Sequence, residues 1–387
     1  MQWGRTVNHV SILDADNGHY RQAFLQAIGF LTQNGEGMID RQELARKLFM
    51  NAARYSGLAN VLSPYLSGTG AILMLHRVNR AGPNGIGVND HLTITPSFLD
   101  AVLTAMKKMG YAFVSMDEVV DRLENGRGGR FATVTLDDGY LDNLTDALPV
   151  FEAHDTPFTI YVAPALNEYR VGLWWLMLEE LVARRESLAF MTAEGKVSLD
   201  CSTPEAKANA FRQLHDYLTS EITEQDQQDW LRELMTPRRD GGDILGRVEM
   251  MNWDEIRQVA AHKLGTIGAH TVHHYNLRRL SAQDAVREIV DSGDIIAMET
   301  GMAPRHFAYP YGHAGAVGSR EVELVREAGY ASAVTTRHGM LQPGHRDHLH
   351  ALPRISVNGR YQQLGYVRTM LSGLTTLADS RKRLVTV

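Results

Sequence analysis

The sequence predicts an α/β fold built on a parallel sheet. Two observations lead there. From about Ala71 onward, short apolar runs alternate with capped amphipathic stretches, and the alternation resumes near Leu264 after a long interruption. The chain has 387 residues, enough for one large domain with additions or for two domains. Alternation of this kind gives a sheet with helices outside it, either open or closed into a barrel.

The elements follow in chain order. Residues 1 to about 68 read as mainly helical: Phe24, Leu25, Ile28 and Leu31 stand at spacings of one, three and four, and Ala45, Leu48 and Phe49 continue the pattern. The run Asn34 to Asp40 matches a calcium loop poorly, because Thr32 stands where the first acidic ligand belongs; a polar turn between helices is the better reading. Ala71 to Leu75 is a short buried strand. Thr95-Pro96 opens a helix, with Thr as cap and Pro in the first turn, and its buried face holds Phe98, Leu99, Val102, Leu103 and Met106 until Gly110 ends it. A strand at Ala112 to Val114 precedes Ser115-Met116-Asp117-Glu118, which reads as a capping box. Phe131 to Leu136 is a strand ending in Asp137-Asp138-Gly139. A helix near Asp142 to Ala153 leads to a strand at Phe158 to Val162.

Residues 166 to 250 carry helical spacing, as in Trp174/Trp175/Leu178/Leu181 and Phe211/Leu214/Leu218, without strong strand signals, and read as a helical insertion. Strands return at Leu264 to Ala269, Phe307 to Tyr309 and Ser332 to Thr336, with capped helices at Ser281 to Gly301 and Ser319 to Gly329 between them. The expected organisation is an N-terminal helical segment (1–68), the α/β domain (69–360) and a C-terminal helical tail (361–387). There is no internal repeat and no low-complexity segment.

Composition excludes several classes. The net charge of −6 offers no footprint for nucleic acid and no polybasic membrane patch. Cys201 is the only cysteine, so an intramolecular disulfide and a cysteine zinc site are both ruled out; any metal must be held by His and carboxylate groups. The N-terminus does not read as a signal peptide, and the longest apolar runs are too short for a transmembrane segment. The expected location is cytoplasmic.

Three segments carry chemistry. Asp137-Asp138 stands at a strand end, where neighbouring side chains point in different directions, so that one carboxylate can bind a metal while the other stays free as a base. Gly139 lets the chain turn after them. Alone, the dipeptide reads better as a charged turn. Next, His270 and His274 in Gly268-Ala269-His270-Thr271-Val272-His273-His274 are four apart, a spacing that on a helical turn puts both imidazoles on one face and suits Zn²⁺; a surface turn rich in His is an equal reading. His273 is unassigned. Third, Phe307-Ala308-Tyr309-Pro310-Tyr311-Gly312 ends a strand in a turn that can expose a backbone N–H to an oxyanion. Together they raise one another's odds, because a parallel barrel delivers all its strand ends to one face and two imidazoles plus one carboxylate leave open metal positions. Trp174 and Trp175 are candidates for stacking on sugar rings, though at helical spacing core packing is the safer reading.

In these segments the chain resembles the polysaccharide deacetylases of carbohydrate esterase family four, which include the nodulation chitooligosaccharide deacetylases. Thr135-Leu136-Asp137-Asp138-Gly139 is similar to the family's Thr-Phe-Asp-Asp-Gly, His270-Thr271-Val272-His273-His274 to its His-(Ser/Thr)-x-x-His, and Ala308-Tyr309-Pro310-Tyr311 to its Arg-x-Pro-Tyr. The resemblance covers roughly residues 71 to 165 and 251 to 357. It implies an irregular (β/α)7 barrel, Asp137 as general base, Asp138, His270 and His274 as ligands of a divalent metal, and the Tyr311 N–H as oxyanion donor. The metal implied is Zn²⁺, with Co²⁺, Ni²⁺ or Mn²⁺ as alternatives, and the substrate an N-acetylated oligo- or polysaccharide. The chain departs from the family at Ala308, where an arginine pairs with the catalytic aspartate; Arg354, after the last predicted strand, is the candidate replacement, and a surface arginine is an equal reading. The general-acid histidine that the family carries late in the chain also lacks a clear match, since His338, His345, His348 and His350 lie in a polar loop. Leu73-Met74-Leu75-His76-Arg77 resembles rearranged members in which this segment precedes the Asp-Asp motif, so His76 is the expected acid. The rival expectations are a hydrolase of another C–N bond, such as a formyl-sugar or ureide amidohydrolase, and a carbohydrate-binding protein with a dead site.

Overall fold

The computed structural model describes residues 41–80, 85–126, 128–192, 194–235, 249–379 and 385. The expected helix around Phe24 to Leu31 and the Asn34–Asp40 turn lie outside the described residues.

Seven parallel strands close into a barrel: β1 Gly70–Leu75, β2 Phe131–Leu136, β3 Phe158–Val162, β4 Gly265–Ala269, β5 His306–Ala308, β6 Ser332–His338 and β7 Leu352–Ser356. Their spatial order is β1-β7-β6-β5-β4-β3-β2, and β1 pairs with β2 over their full length, from Gly70↔Phe131 to Leu75↔Leu136, which closes the ring. β1, β2 and β3 are buried at every position. That is why each reads as an uninterrupted apolar or Thr-rich run rather than an alternation. Ala112–Phe113 pairs with the first residues of β2 and stands outside the ring.

The ring differs from the expected strand set at one place. The seventh strand is β7, which contains Arg354, whereas the sequence puts that residue beyond the last strand. Pro353 lacks a ladder donor, and a charged residue in mid-run reads as loop; here Arg354 is turned into the barrel and is only 1% exposed.

Helices flank the ring where the caps predict them. Thr95 caps Pro96–Lys108 by accepting from the Phe98 N–H, Ser281 and left-handed Gly301 bound Ala282–Thr300, and Ser319–Glu327 follows. Ser115 caps Met116–Asn125, but the reciprocal half of the expected box is absent: the Glu118 carboxylate pairs with Arg122 instead. Between β2 and β3 the chain forms a π-helical turn, Asn143–Ala147, before the α-helix Leu148–Ala153. In the N-terminal segment, helices Arg41–Tyr55 and Leu58–Leu66 form. Ala45, Leu48 and Phe49 are exposed on the first of them, and Met50 and Ala53 face inward. Leu364–Leu371 and Leu374–Asp379 lie in the C-terminal stretch.

The insertion has its own core. Trp174–Ala183, Pro204–Ser220 and Glu224–Met235 pack Leu178, Leu214, Leu218 and Leu231 together. It also holds an antiparallel hairpin, Ser187–Thr192 with Gly195–Asp200, that the helical reading misses. Each strand buries one residue, Leu188 and Leu199, so neither shows the alternation of a half-buried strand. Among the described residues no helix is long and apolar enough to cross a membrane.

Candidate active site

The C-terminal ends of the strands meet at one mouth. His76 follows β1, Asp137 and Asp138 follow β2, and His270 follows β4. Tyr311 lies beyond β5, and Arg354 rises from β7. The fold thus gathers residues separated by almost three hundred positions.

Asp137 and Asp138 face different partners. Arg354 grips Asp137 with both terminal nitrogens, Nη1 to Oδ1 and Nη2 to Oδ2, each 2.7 Å. Its Nε donates to the Thr335 carbonyl at 2.8 Å and Nη1 also to Thr135 Oγ1 at 3.2 Å. A planar fork with all three nitrogens engaged has little freedom to swing away. Burial alone would raise the Asp137 carboxyl, but the Arg354 guanidinium outweighs it and holds the group below the usual carboxylate range. His76 Nε2 lies 4.0 Å from Asp137 Oδ2. Ala308, where the family motif has its arginine, is buried and contributes its backbone instead.

Asp138 takes a left-handed conformation, with φ of 76°, which turns its carboxylate away from its neighbour's partner. Gly139 continues the sharp turn at φ 79°, and a Cβ there would meet the Asn167 amide at 2.9 Å, the amide that holds the Gly139 and Met251 carbonyls. Asp138 Oδ1 then lies 3.5 Å from His270 Nε2 and 3.4 Å from His274 Nε2.

The histidine segment is not the helical turn that its spacing suggests. It is a bent loop in which Thr271 and His274 both have positive φ, near 60°. His270 is fixed by its N–H to Val162 O and by Nδ1, which donates to the Ala308 carbonyl at 2.7 Å and leaves Nε2 with the lone pair. Glu288, a buried carboxylate of helix Ala282–Thr300, accepts from the Val272 and His273 N–H groups, both 2.9 Å, and pairs with His273 Nδ1 at 2.6 Å. His273 is therefore the loop's anchor. Glu224 of the insertion accepts from Asn276 N–H and pairs with Arg279. Neither carboxylate stands out in the sequence: Glu288 reads as an ordinary helix charge, and Glu224 lies 52 positions from the residue that it holds.

Asp138, His270 and His274 offer one ligand atom each within 4.8 Å of one another, and the donor set fits a divalent metal. Bonds of about 2.1 Å in a tetrahedral array put ligand atoms roughly 3.4 Å apart, the spacing of both histidine nitrogens from Asp138 Oδ1. That oxygen is buried and has no hydrogen-bond donor among the described residues, a costly state for a carboxylate that a cation would relieve. Burial pushes the His274 imidazole down to about 4, so that it is neutral and its lone pair is available near pH 7. Burial opposes ionisation of Asp138, but His270 and His274 outweigh it and keep the carboxyl well below its ordinary value.

Aromatic groups wall the mouth. The Tyr311 ring lies 5.4 Å from that of His274, its hydroxyl accepts from Trp174 Nε1 at 3.0 Å, and Thr336 Oγ1 donates to its carbonyl at 2.7 Å. Tyr311 has φ of 60°, and burial raises its phenol. Trp174 is buried, so packing accounts for it. Trp175 is half-buried, with its ring 5.0 Å from His274. His338 and His350 are engaged elsewhere, with Thr375 and the Tyr330 carbonyl.

Comparison with known proteins bears on the fold and on the histidine segment. The family described as Polysaccharide deacetylase matches residues 243–333, the stretch that holds His270, His274 and Tyr311. No curated protein matches the chain. Among solved structures, the deacetylase PplD of Streptococcus pyogenes in complex with acetate is 19% identical, with 78% of this chain and 97% of that one covered and a TM-score of 0.52. IcaB of Ammonifex degensii is 17% identical, with 78% and 97% covered and a TM-score of 0.49. The first of these likenesses speaks for the fold. The family match over the histidine segment, together with the seven-stranded barrel, makes this chain similar to the polysaccharide deacetylases.

Proposed function

We propose that the protein is a metal-dependent hydrolase that removes N-acetyl groups from amino-sugar oligo- or polysaccharides. The match to the polysaccharide deacetylase family over residues 243–333 supports the coarser part, a hydrolase acting on carbohydrate N-acetyl groups. The observation that carries the finer part is the division of labour between adjacent aspartates: Asp138 faces two histidines with an oxygen that lacks a donor, and Asp137 is locked onto Arg354.

Asp138, His270 and His274 would hold the metal, with Zn²⁺ favoured by the donor set. A divalent ion bound there supplies Lewis acidity, which polarises the acyl oxygen and makes a water molecule acidic near neutral pH. Asp137, kept ionised by Arg354, takes the proton of the attacking water on a carboxylate oxygen. Arg354 keeps that carboxylate aimed at the mouth. Tyr311 offers its backbone N–H, in a turn held by the Thr336 hydroxyl, to the oxygen on which negative charge develops. His76 donates a proton from Nε2 to the departing nitrogen, from a position 4.0 Å from Asp137 Oδ2. The intact Asp137–Arg354 pair weighs against a dead site.

The test is acetate release from N-acetylated chitooligosaccharides, with and without chelator, for the wild type and His270→Ala. The expected result is release by the wild type that chelator stops and added metal restores, with His270→Ala inactive and metal-poor. Undiminished release by metal-free His270→Ala would sink the proposal.

A further inference from the structure

We propose that Asp142 and Asn143 form a clamp that positions His76, making them positioning residues for proton donation to the leaving group. The inference rests on the reading of His76 as the general acid and adds what holds it in place.

The His76 side chain needs such a device. It is 23% exposed, and its ring makes no hydrogen bond to the described residues, since Asp137 Oδ2 at 4.0 Å is beyond that range. Its place must come from the backbone that carries it, and that backbone has just left strand β1. Four consecutive residues there, His76 to Asn79, are each tied to the pair 142–143. The Asn143 amide donates to the His76 carbonyl at 2.8 Å. Asp142 accepts from Arg77 Nε at 2.8 Å, from the Val78 N–H at 3.2 Å and from Asn79 Nδ2 at 3.0 Å. The Asn143 amide also reaches Asp142 Oδ1 at 3.3 Å, which couples the two halves.

The clamp stands four to six residues after the Asp137-Asp138 pair. Asp142 and Asn143 are both buried, and Asn143 opens the π-helical turn Asn143–Ala147. A wide turn of this kind is less stable than an α-turn and recurs at functional sites; here it leaves both side chains directed at the β1 exit. The Arg77 guanidinium also lies 5.2 Å over the Tyr140 ring, which fixes the arm from its other side. One short segment therefore carries the base, a ligand and the groups that hold the acid's backbone, and the base–acid distance is set within two neighbouring strand exits rather than across the barrel.

A staple that only stabilised the fold would have the same bonds, so the test must separate the roles. Asn143→Ala and Asp142→Asn are to be assayed on an N-acetylated chitooligosaccharide and on 4-nitrophenyl acetate, with metal content measured alongside. The amide needs its leaving nitrogen protonated, whereas nitrophenolate departs unaided. The expected result is kcat on the amide lower by about ten- to a hundredfold, KM within about twofold, ester turnover within about threefold, and unchanged metal content. His76→Ala should show the same split between substrates more strongly. Equal losses on both substrates, or no loss on the amide, would overturn the clamp while leaving His76 as the acid. Full amide turnover by His76→Ala would overturn the underlying reading and the clamp with it. Should Asn143→Ala not fold, Arg77→Met removes one arm of the clamp at a partly exposed position, and the same split decides the matter.

Discussion

The barrel mouth and the insertion contribute to the site in different ways. The mouth supplies the candidate metal-binding and acid–base groups, and most are held by a second partner: Asp137 by Arg354, His270 by the Ala308 carbonyl, the His273 loop by Glu288. The insertion supplies aromatic surface and one buried carboxylate, Glu224, with its own core beneath them. The mouth is over-determined, and a single lost partner there leaves a buried charge exposed to its full desolvation cost. Among the described residues the insertion meets the site through Trp174 and Trp175, through Asn167 at the Gly139 turn, and through Glu224 at the Asn276 end of the histidine loop.

That contrast breaks first, and most severely, at Arg354. Arg354→Gln leaves Asp137 buried without its counter-ion. Stability should fall by about 3–5 kcal/mol and kcat by two orders of magnitude or so. The pH dependence follows from the sign of the shift. Asp137 is depressed in the folded protein, so its contribution to stability is present above the unfolded carboxylate value and is lost as pH falls through the folded one. Without Arg354, burial prevails and the carboxyl rises, so the acidic limb of the pH–rate profile should move to higher pH. A limb that stays in place would separate Arg354 from the base.

A smaller effect belongs to the contact between the two regions. Trp174→Phe removes the indole donor to the Tyr311 hydroxyl while keeping an aromatic ring. One such bond is worth about 0.5–1.5 kcal/mol, so kcat should drop by no more than roughly tenfold with metal content unchanged. A larger loss would mean that the insertion holds the oxyanion turn rather than leaning on it.

The smallest effect on chemistry should come from within the insertion. Leu214 is buried in its core, and Leu214→Ala should cost about 2–5 kcal/mol of local stability, seen as faster proteolysis of residues 166–250. Turnover per folded molecule should stay within about twofold, because no charged group of the mouth has moved. Metal loss in this variant would erase the distinction between the regions.

The same contrast explains what was legible in the sequence. β2 and β3 match their expected bounds because strands buried on both faces leave continuous runs, closed here by Asp137-Asp138-Gly139 and by the Pro164 turn. β7 was not legible, since Pro353 and Arg354 interrupt its pattern, and the reason for Arg354 appears only when β7 lies beside β1 and faces Asp137. The hairpin in the insertion shows one inward residue per strand, too few for a periodicity argument, although Gly195 at the turn and the alternation of Val197 and Leu199 were available signals. His270 and His274 were legible as a pair but not as a loop. Spacing of four fits a helix and also fits a bent loop with two left-handed residues, and Glu288, which decides between them, looks like an ordinary helix-surface charge. Asp142 and Asn143 carried no signal beyond a helix start.

The central claim is that two neighbouring carboxylates do different work. The most direct measurement is metal content and acetate release for Asp137→Asn and Asp138→Asn side by side. Asp137→Asn should keep its metal and lose turnover, and Asp138→Asn should lose both. Equal metal binding by the two variants, or metal loss in Asp137→Asn alone, would contradict the assignment.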